Sequence, residues 1–124
     1  MAKKILFVED EAASQKSLGF TLSNTGYEVV SALDGETGLR LAKSEKPDLV
    51  LLDLILPKMD GFEVLEQLKS DPETKEIPII ILTNLERMDD VERALALGAK
   101  TYLTKSSYSL VEVVEKVKKA LGDA

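Results

Sequence analysis

Five short apolar runs recur along the chain, each followed by a longer segment of helical period, and this alternation is what most constrains the fold. Ile5 to Val8, Val29 to Ala32, Leu49 to Leu52, Ile79 to Leu82 and Thr101 to Leu103 read as strands. Helices are expected near 13–24, 36–44, 61–69, 88–97 and 109–121. In the last of these, Leu110, Val113, Val114, Val117 and Leu121 keep the i, i+3, i+4, i+7, i+11 spacing of an amphipathic helix. Gly26, Gly98 and Gly122 stand where helices should stop, and Pro47, Pro72 and Pro78 fall in loops or at first strand positions. Repeated strand–helix units of this kind fold as an α/β domain with a parallel sheet, and the expected arrangement here is a doubly wound, five-stranded sheet of order 2-1-3-4-5 with five helices. The 124 residues show no internal repeat, low-complexity tract or Pro/Ser-rich linker, so residues 1–124 are expected to form a single domain.

In an open parallel sheet, ligands bind outside the carboxyl ends of the strands. Polar residues fall at those places here: Glu9-Asp10-Glu11 after the first apolar run, Asp53 after the third, Thr83 at the end of the fourth and Lys105 after the fifth. Acids at a helix start also complement the helix dipole, a threonine can cap a helix, and a lysine at a strand end is commonly a solvated charge. Together, however, the residues suit one task. The order 2-1-3-4-5 places the third strand beside the first, so Glu9, Asp10 and Asp53 crowd one edge and repel one another unless a proton or a cation intervenes. Oxygen ligands with no histidine or cysteine in the chain select a hard divalent ion, and Mg²⁺ is the usual occupant where phosphate also binds. Thr83 and Lys105 would hold phosphoryl oxygens while Asp53 attacks phosphorus.

Composition narrows the alternatives. A net charge of -6 and a pI near 4.7 argue against direct nucleic-acid binding, which needs a basic face. Absence of cysteine removes disulfide and thiolate chemistry, and absence of histidine removes that side chain as base, metal ligand or phosphodonor. Met1-Ala2-Lys3-Lys4 runs directly into the first strand with no apolar leader and no 18-residue apolar span follows, so the expectation is a cytoplasmic protein with no membrane insertion.

The acidic pair in Val8-Glu9-Asp10-Glu11, Asp53 within Asp-x-x-x-Pro-x-Met-Asp-Gly, Thr83 after Ile79-Ile80-Ile81-Leu82, the Gly98-Ala99 pair, Tyr102 and Lys105 together resemble the receiver domain of two-component response regulators, of the single-domain chemotaxis-like type. The resemblance spans residues 3 to 121 and implies a flavodoxin-like fold. It implies that Asp53 accepts a phosphoryl group from the phosphohistidine of a sensor histidine kinase or histidine phosphotransfer protein. Glu9, Asp10 and Asp53 would hold Mg²⁺, with the carbonyl of Ile55 as a further ligand. Lys105 would pair with the phosphoryl group, Thr83 would swing to bond it, and Tyr102 would move inward, changing the face made by the fourth helix, fifth strand and fifth helix for a downstream protein target. Such a protein is a signalling phosphoacceptor rather than an enzyme, although it assists its own phosphorylation and dephosphorylation. With no output module in these residues, the expectation is a stand-alone receiver, the alternative being a piece of a larger regulator.

Four residues depart from the family's commonest pattern. Ser106 replaces the usual proline after the site lysine, and since a cis bond before a non-proline residue costs about 2.5–4 kcal/mol, Lys105–Ser106 is expected to be trans. Asn84 is larger than the usual residue after the switch threonine. Ile55 and Leu85, two positions beyond Asp53 and Thr83, are apolar where the family's path of attacking water runs. Two other classes fit less well. A flavin or nucleotide binder of this architecture needs a Gly/Ser/Thr-rich phosphate loop where this chain has acids, and an aspartate-nucleophile hydrolase usually has a second carboxylate at the place of Ile55.

Overall fold

The structure is a computed structural model describing residues 2–123. The elements run β1 (Lys4–Val8), α1 (Ala12–Asn24), β2 (Glu28–Ala32), α2 (Gly35–Glu45), β3 (Leu49–Leu52), α3 (Gly61–Ser70), β4 (Ile79–Thr83), α4 (Met88–Ala96), β5 (Thr101–Thr104) and α5 (Leu110–Leu121), with a 3₁₀ turn at Lys105–Ser107 between the last two. The sheet has five parallel strands in the order β2-β1-β3-β4-β5, as expected. In register, Ile5 pairs with both Val29 and Leu49, Val50 with Ile79, and Ile80 with Thr101.

Period-two alternation sorts the strand side chains into two cores. Leu6, Val8, Val50, Leu52, Ile79 and Ile81 pack with Leu65 and Leu68 of α3 and Ala94 of α4. Ile5, Phe7, Leu49, Leu51, Ile80 and Leu82 pack on the opposite face with Leu18 and Leu22 of α1 and Val113 and Val117 of α5. Because both faces are covered, β3 and β4 are buried along their whole length, which explains why their sequences are continuously apolar. Of the stripe expected in α5, Val113, Val114 and Val117 are buried, whereas Leu110, at the first position of the helix, is exposed.

Helix ends lie within one residue of the expected bounds, for local reasons. Asp34 and Asp60 accept hydrogen bonds from the backbone N–H groups of Thr37 (2.8 Å) and Glu63 (3.1 Å) at the starts of α2 and α3. Ser109 and Glu112 form a reciprocal capping box at the start of α5, which ends at Gly122 with φ 74°. The two ends of the described chain meet. The Lys3 ammonium donates to Asp123 Oδ1 (2.9 Å) and to the Leu121 carbonyl (2.6 Å), while the Tyr27 hydroxyl donates to Asp123 Oδ2 (3.0 Å). Burial and the neighbouring Asp123 carboxylate push the Tyr27 phenol up to about 12. Among the described residues, no helix is long and apolar enough to cross a membrane.

Two glycines give opposite expectations. A Cβ on Gly61 would meet the carbonyl oxygen of Asp53 and the Cα of Leu54, both backbone atoms, whereas a Cβ on Gly19 in α1 would have nothing within 4 Å. Gly19→Ala should raise stability by about 0.5–1 kcal/mol through helix propensity and the loss of unfolded-state freedom. Gly61→Ala should lower it by about 1–3 kcal/mol, as overpacking does. Urea denaturation of the two variants checks both signs. A second expectation concerns pH: the hydrogen bond from the Thr37 N–H, with lesser help from the Thr37 hydroxyl and Lys58, holds the Asp34 carboxyl below its ordinary value. The stabilisation is therefore present above the ordinary carboxylate range and is lost as pH falls through the depressed native value. The difference in urea midpoint between the wild type and Asp34→Ala should be clear at pH 7 and shrink on acidification below that range.

Candidate functional site

The parallel register delivers the polar residues to one edge. Val8 pairs with Leu52, so Glu9 and Asp53 leave the sheet side by side, held by hydrogen bonds from the Glu9 N–H to the Ala32 carbonyl and from the Asp53 N–H to the Val8 carbonyl, each 3.0 Å. Thr83 is the last residue of β4 and Lys105 follows β5. The chain after Asp53 folds back sharply: Lys58 takes a left-handed φ of 68°, the Gly61 N–H donates to the Leu54 carbonyl (3.0 Å), and α3 begins directly beneath Asp53. A side chain at Gly61 would fill the space that this close approach needs.

Glu9 and Asp53 are buried, only 1% and 4% exposed, and the Lys105 ammonium lies between them. It donates to Glu9 Oε1 and to Asp53 Oδ2, the latter at 3.0 Å. Asp53 Oδ1 accepts from the Ile55 N–H (3.1 Å), and Glu9 Oε2 accepts from the Glu11 N–H (3.1 Å). Each of Glu9, Asp10 and Asp53 offers a carboxylate oxygen within 4.8 Å of the others. Three carboxylates and one ammonium leave the cluster net negative. Burial raises the Glu9 carboxyl above its ordinary value, against the pull of the Lys105 hydrogen bond and the Glu11 N–H, and the Asp53 charge adds to the rise. For Lys105, burial favours the neutral amine, but the hydrogen bonds and charges of Glu9 and Asp53 outweigh it and hold the ammonium above its ordinary value. An all-oxygen, net-negative donor set fits a hard divalent cation such as Mg²⁺.

The ordinary readings of these residues do not describe what they do here. Glu9 is not a solvated helix-end acid. Thr83 does not cap α4, which starts after four intervening residues with Arg87 as the preceding residue and no side-chain cap. It is fully buried, and its Oγ1 accepts from the Leu85 N–H at 3.4 Å. Asn84 and the half-exposed Ile55 line the mouth of the cleft. Tyr102 sits one strand over, its hydroxyl donating to the Leu85 carbonyl (2.9 Å), so Leu85 is bonded to both Thr83 and Tyr102 through its backbone. No cis peptide occurs among the described residues, and Lys105–Ser106 is trans as the cost of the alternative requires.

Sequence reasoning missed two contacts near this edge. Ser106 donates to Glu86 Oε1 (2.8 Å), linking the loops after β5 and β4. Gln15 lies against the loop that carries Glu9. Its signal was its spacing, for Gln15, Leu18 and Leu22 occupy one stripe of α1 whose other two members are buried.

Residues 5–118 match the response regulator receiver domain. The chain is 44% identical over 121 residues to the alkaline phosphatase synthesis transcriptional regulatory protein PhoP of Bacillus subtilis, covering 98% of this chain but only 49% of that protein, so it spans about half the length of this relative. It is 36% identical over 124 residues to the polar-differentiation response regulator DivK of Brucella anthropi, covering both chains in full. The receiver domain of a sensor histidine kinase from Pseudomonas aeruginosa, solved with a magnesium ion coordinated in its active-site cleft, superposes with a TM-score of 0.89 at 29% identity, over 98% of this chain and 99% of that one. By fold, by the acidic edge and by these matches, the chain belongs to the response regulator receiver domain family, the phosphoacceptor modules of two-component signalling.

Proposed function

We propose that residues 1–124 act as one receiver unit in which Asp53 is the phosphoacceptor, Glu9, Asp10 and Asp53 with the Ile55 carbonyl hold Mg²⁺, and Lys105 and Thr83 engage the phosphoryl oxygens. The observation that carries this reading is the Lys105 ammonium bridging Glu9 and Asp53 with Asp10 in reach. The donor is a phosphohistidine on a sensor histidine kinase or histidine phosphotransfer protein. An Asp53 carboxylate oxygen attacks phosphorus, the new O–P bond forms as the N–P bond breaks, and the imidazole leaves with the bonding pair. Mg²⁺ supplies charge neutralisation for the oxygens that gather at the edge. Lys105 already touches Asp53, so its ammonium needs only a short displacement on a flexible stem to follow a phosphoryl group. The protein acts as a signalling phosphoacceptor and not as a turnover enzyme, and works in the cytoplasm.

Signalling follows from the neighbouring loop. A phosphoryl group on Asp53 that draws in the Thr83 hydroxyl competes with the long Thr83–Leu85 bond, and the Leu85 carbonyl is the acceptor for Tyr102. The shift reaches α4, β5 and α5, where Met88, Leu95, Leu110 and Val111 are exposed apolar residues suited to a downstream protein target.

Incubation with acetyl phosphate and Mg²⁺ should add one phosphoryl group by intact mass, absent in Asp53→Asn. Mg²⁺ should also raise the melting temperature, by the equivalent of about 2.7 kcal/mol at a hundredfold excess over Kd. Asp10→Asn should stabilise the metal-free protein and bind Mg²⁺ more weakly. Identical melting curves with and without Mg²⁺ at low ionic strength count against the site. A further expectation concerns lifetime: Ile55 and Leu85 offer no polar side chain to orient a water, so the phosphorylated form should decay more slowly than that of an Ile55→Asn, Leu85→Glu variant. Following the loss of the phosphorylated species in both proteins measures this.

A further inference from the structure

Among the described residues, Gln15 is the one polar side chain that reaches the carbonyl ends of β1 and β2 together, its two Nε2 protons shared among the carbonyl oxygens of Phe7 (2.9 Å), Glu9 (3.0 Å) and Ala32 (3.1 Å). Its Oε1 is buried without a protein hydrogen bond, so the amide is oriented for its donors. The Glu9 backbone is thereby gripped on both sides, its N–H by the Ala32 carbonyl and its carbonyl by Gln15. That carbonyl belongs to the Glu9–Asp10 peptide plane, and fixing the plane sets the direction in which Asp10 leaves the chain. Asp10 is exposed, whereas Glu9 and Asp53 are pinned by Lys105.

We infer that Gln15 is a positioning residue for the acidic loop: by clamping the Glu9 carbonyl to the ends of β1 and β2, it aims the Asp10 carboxylate into the cluster with Glu9 and Asp53. The inference rests on the proposed role of those carboxylates. It differs from a packing role in its consequence, because loss of the clamp leaves both hydrophobic cores in place and disturbs the geometry of one peptide plane. Residues that hold ligands in place typically change metal affinity by 10–100-fold when removed.

The test uses the whole chain. Gln15→Met keeps the volume and removes the donors, and Val117→Ala, in the core between the sheet and α5, serves as a destabilised comparison. By calorimetric titration, Gln15→Met should bind Mg²⁺ about tenfold more weakly than the wild type. Its Asp10 and Glu11 amide resonances should shift even without Mg²⁺, and acetyl phosphate should phosphorylate it more slowly. Val117→Ala should bind Mg²⁺ like the wild type despite a lower melting temperature. In the wild type, the Gln15 side-chain amide protons should exchange more slowly than those of free glutamine, a measurement that does not depend on any variant folding. Wild-type affinity and unchanged Asp10 resonances in Gln15→Met, an equal loss in Val117→Ala, or free-glutamine exchange at Gln15 would each overturn the inference while leaving the phosphoacceptor reading intact. If the wild type neither binds Mg²⁺ nor takes up a phosphoryl group, that reading falls and the inference falls with it.

Discussion

One ammonium set between two buried carboxylates holds the working edge of this protein together. Glu9 follows β1, Asp53 follows β3 and Lys105 follows β5, so a single charged bridge spans the ends of strands that are not all neighbours in the sheet. Removing either kind of partner would strand a buried charge, and such losses are far larger than those of surface ion pairs. The bridge is also incomplete by charge, since one ammonium faces two carboxylates and Asp10 adds a third. The same arrangement therefore stabilises the resting protein and leaves it attractive to a cation.

The two sides of that edge differ mechanically. On the acidic side, backbone bonds from Glu9 to Ala32 of β2 and from Asp53 to Val8 of β1, with the Gln15 amide behind them, tie the carboxylates to buried strand ends. On the other side, the segment between Thr83 and α4 is held by a long bond to Leu85, the tyrosine hydroxyl on the Leu85 carbonyl and an exposed bond between Ser106 and Glu86. Chemistry needs fixed distances, and signalling needs an element that moves at low free-energy cost. In the proposed function the β1–β3 side would supply the first and the more loosely held β4–β5 side the second.

The strands and the acidic cluster were legible because they follow from local pattern plus one topological rule. Continuous apolar runs at Leu49–Leu52 and Ile79–Leu82 can be satisfied only between two helical layers, and the polar residue ending each run must then fall at the binding edge. What stayed hidden depends on side chains meeting across sequence. Nothing in the residues around Gln15 announces carbonyls of Glu9 and Ala32, and nothing at Ser106 announces Glu86. Leu110 keeps the spacing of the stripe yet is exposed for a related reason, because the i, i+3 rule assigns a face but not whether the first turn of the helix has reached the core.

The clasp of Lys3, Tyr27 and Asp123 brings the described ends of the chain together at the amino-terminal edge of the sheet, away from the acidic cleft. Ends that already touch can be joined by a short linker with little entropy lost. Sequence order and spatial order are thus separable in this molecule: a circularly permuted chain, opened in one of the exposed connections on the clasp side, would rebuild the same sheet around the same three carboxylates.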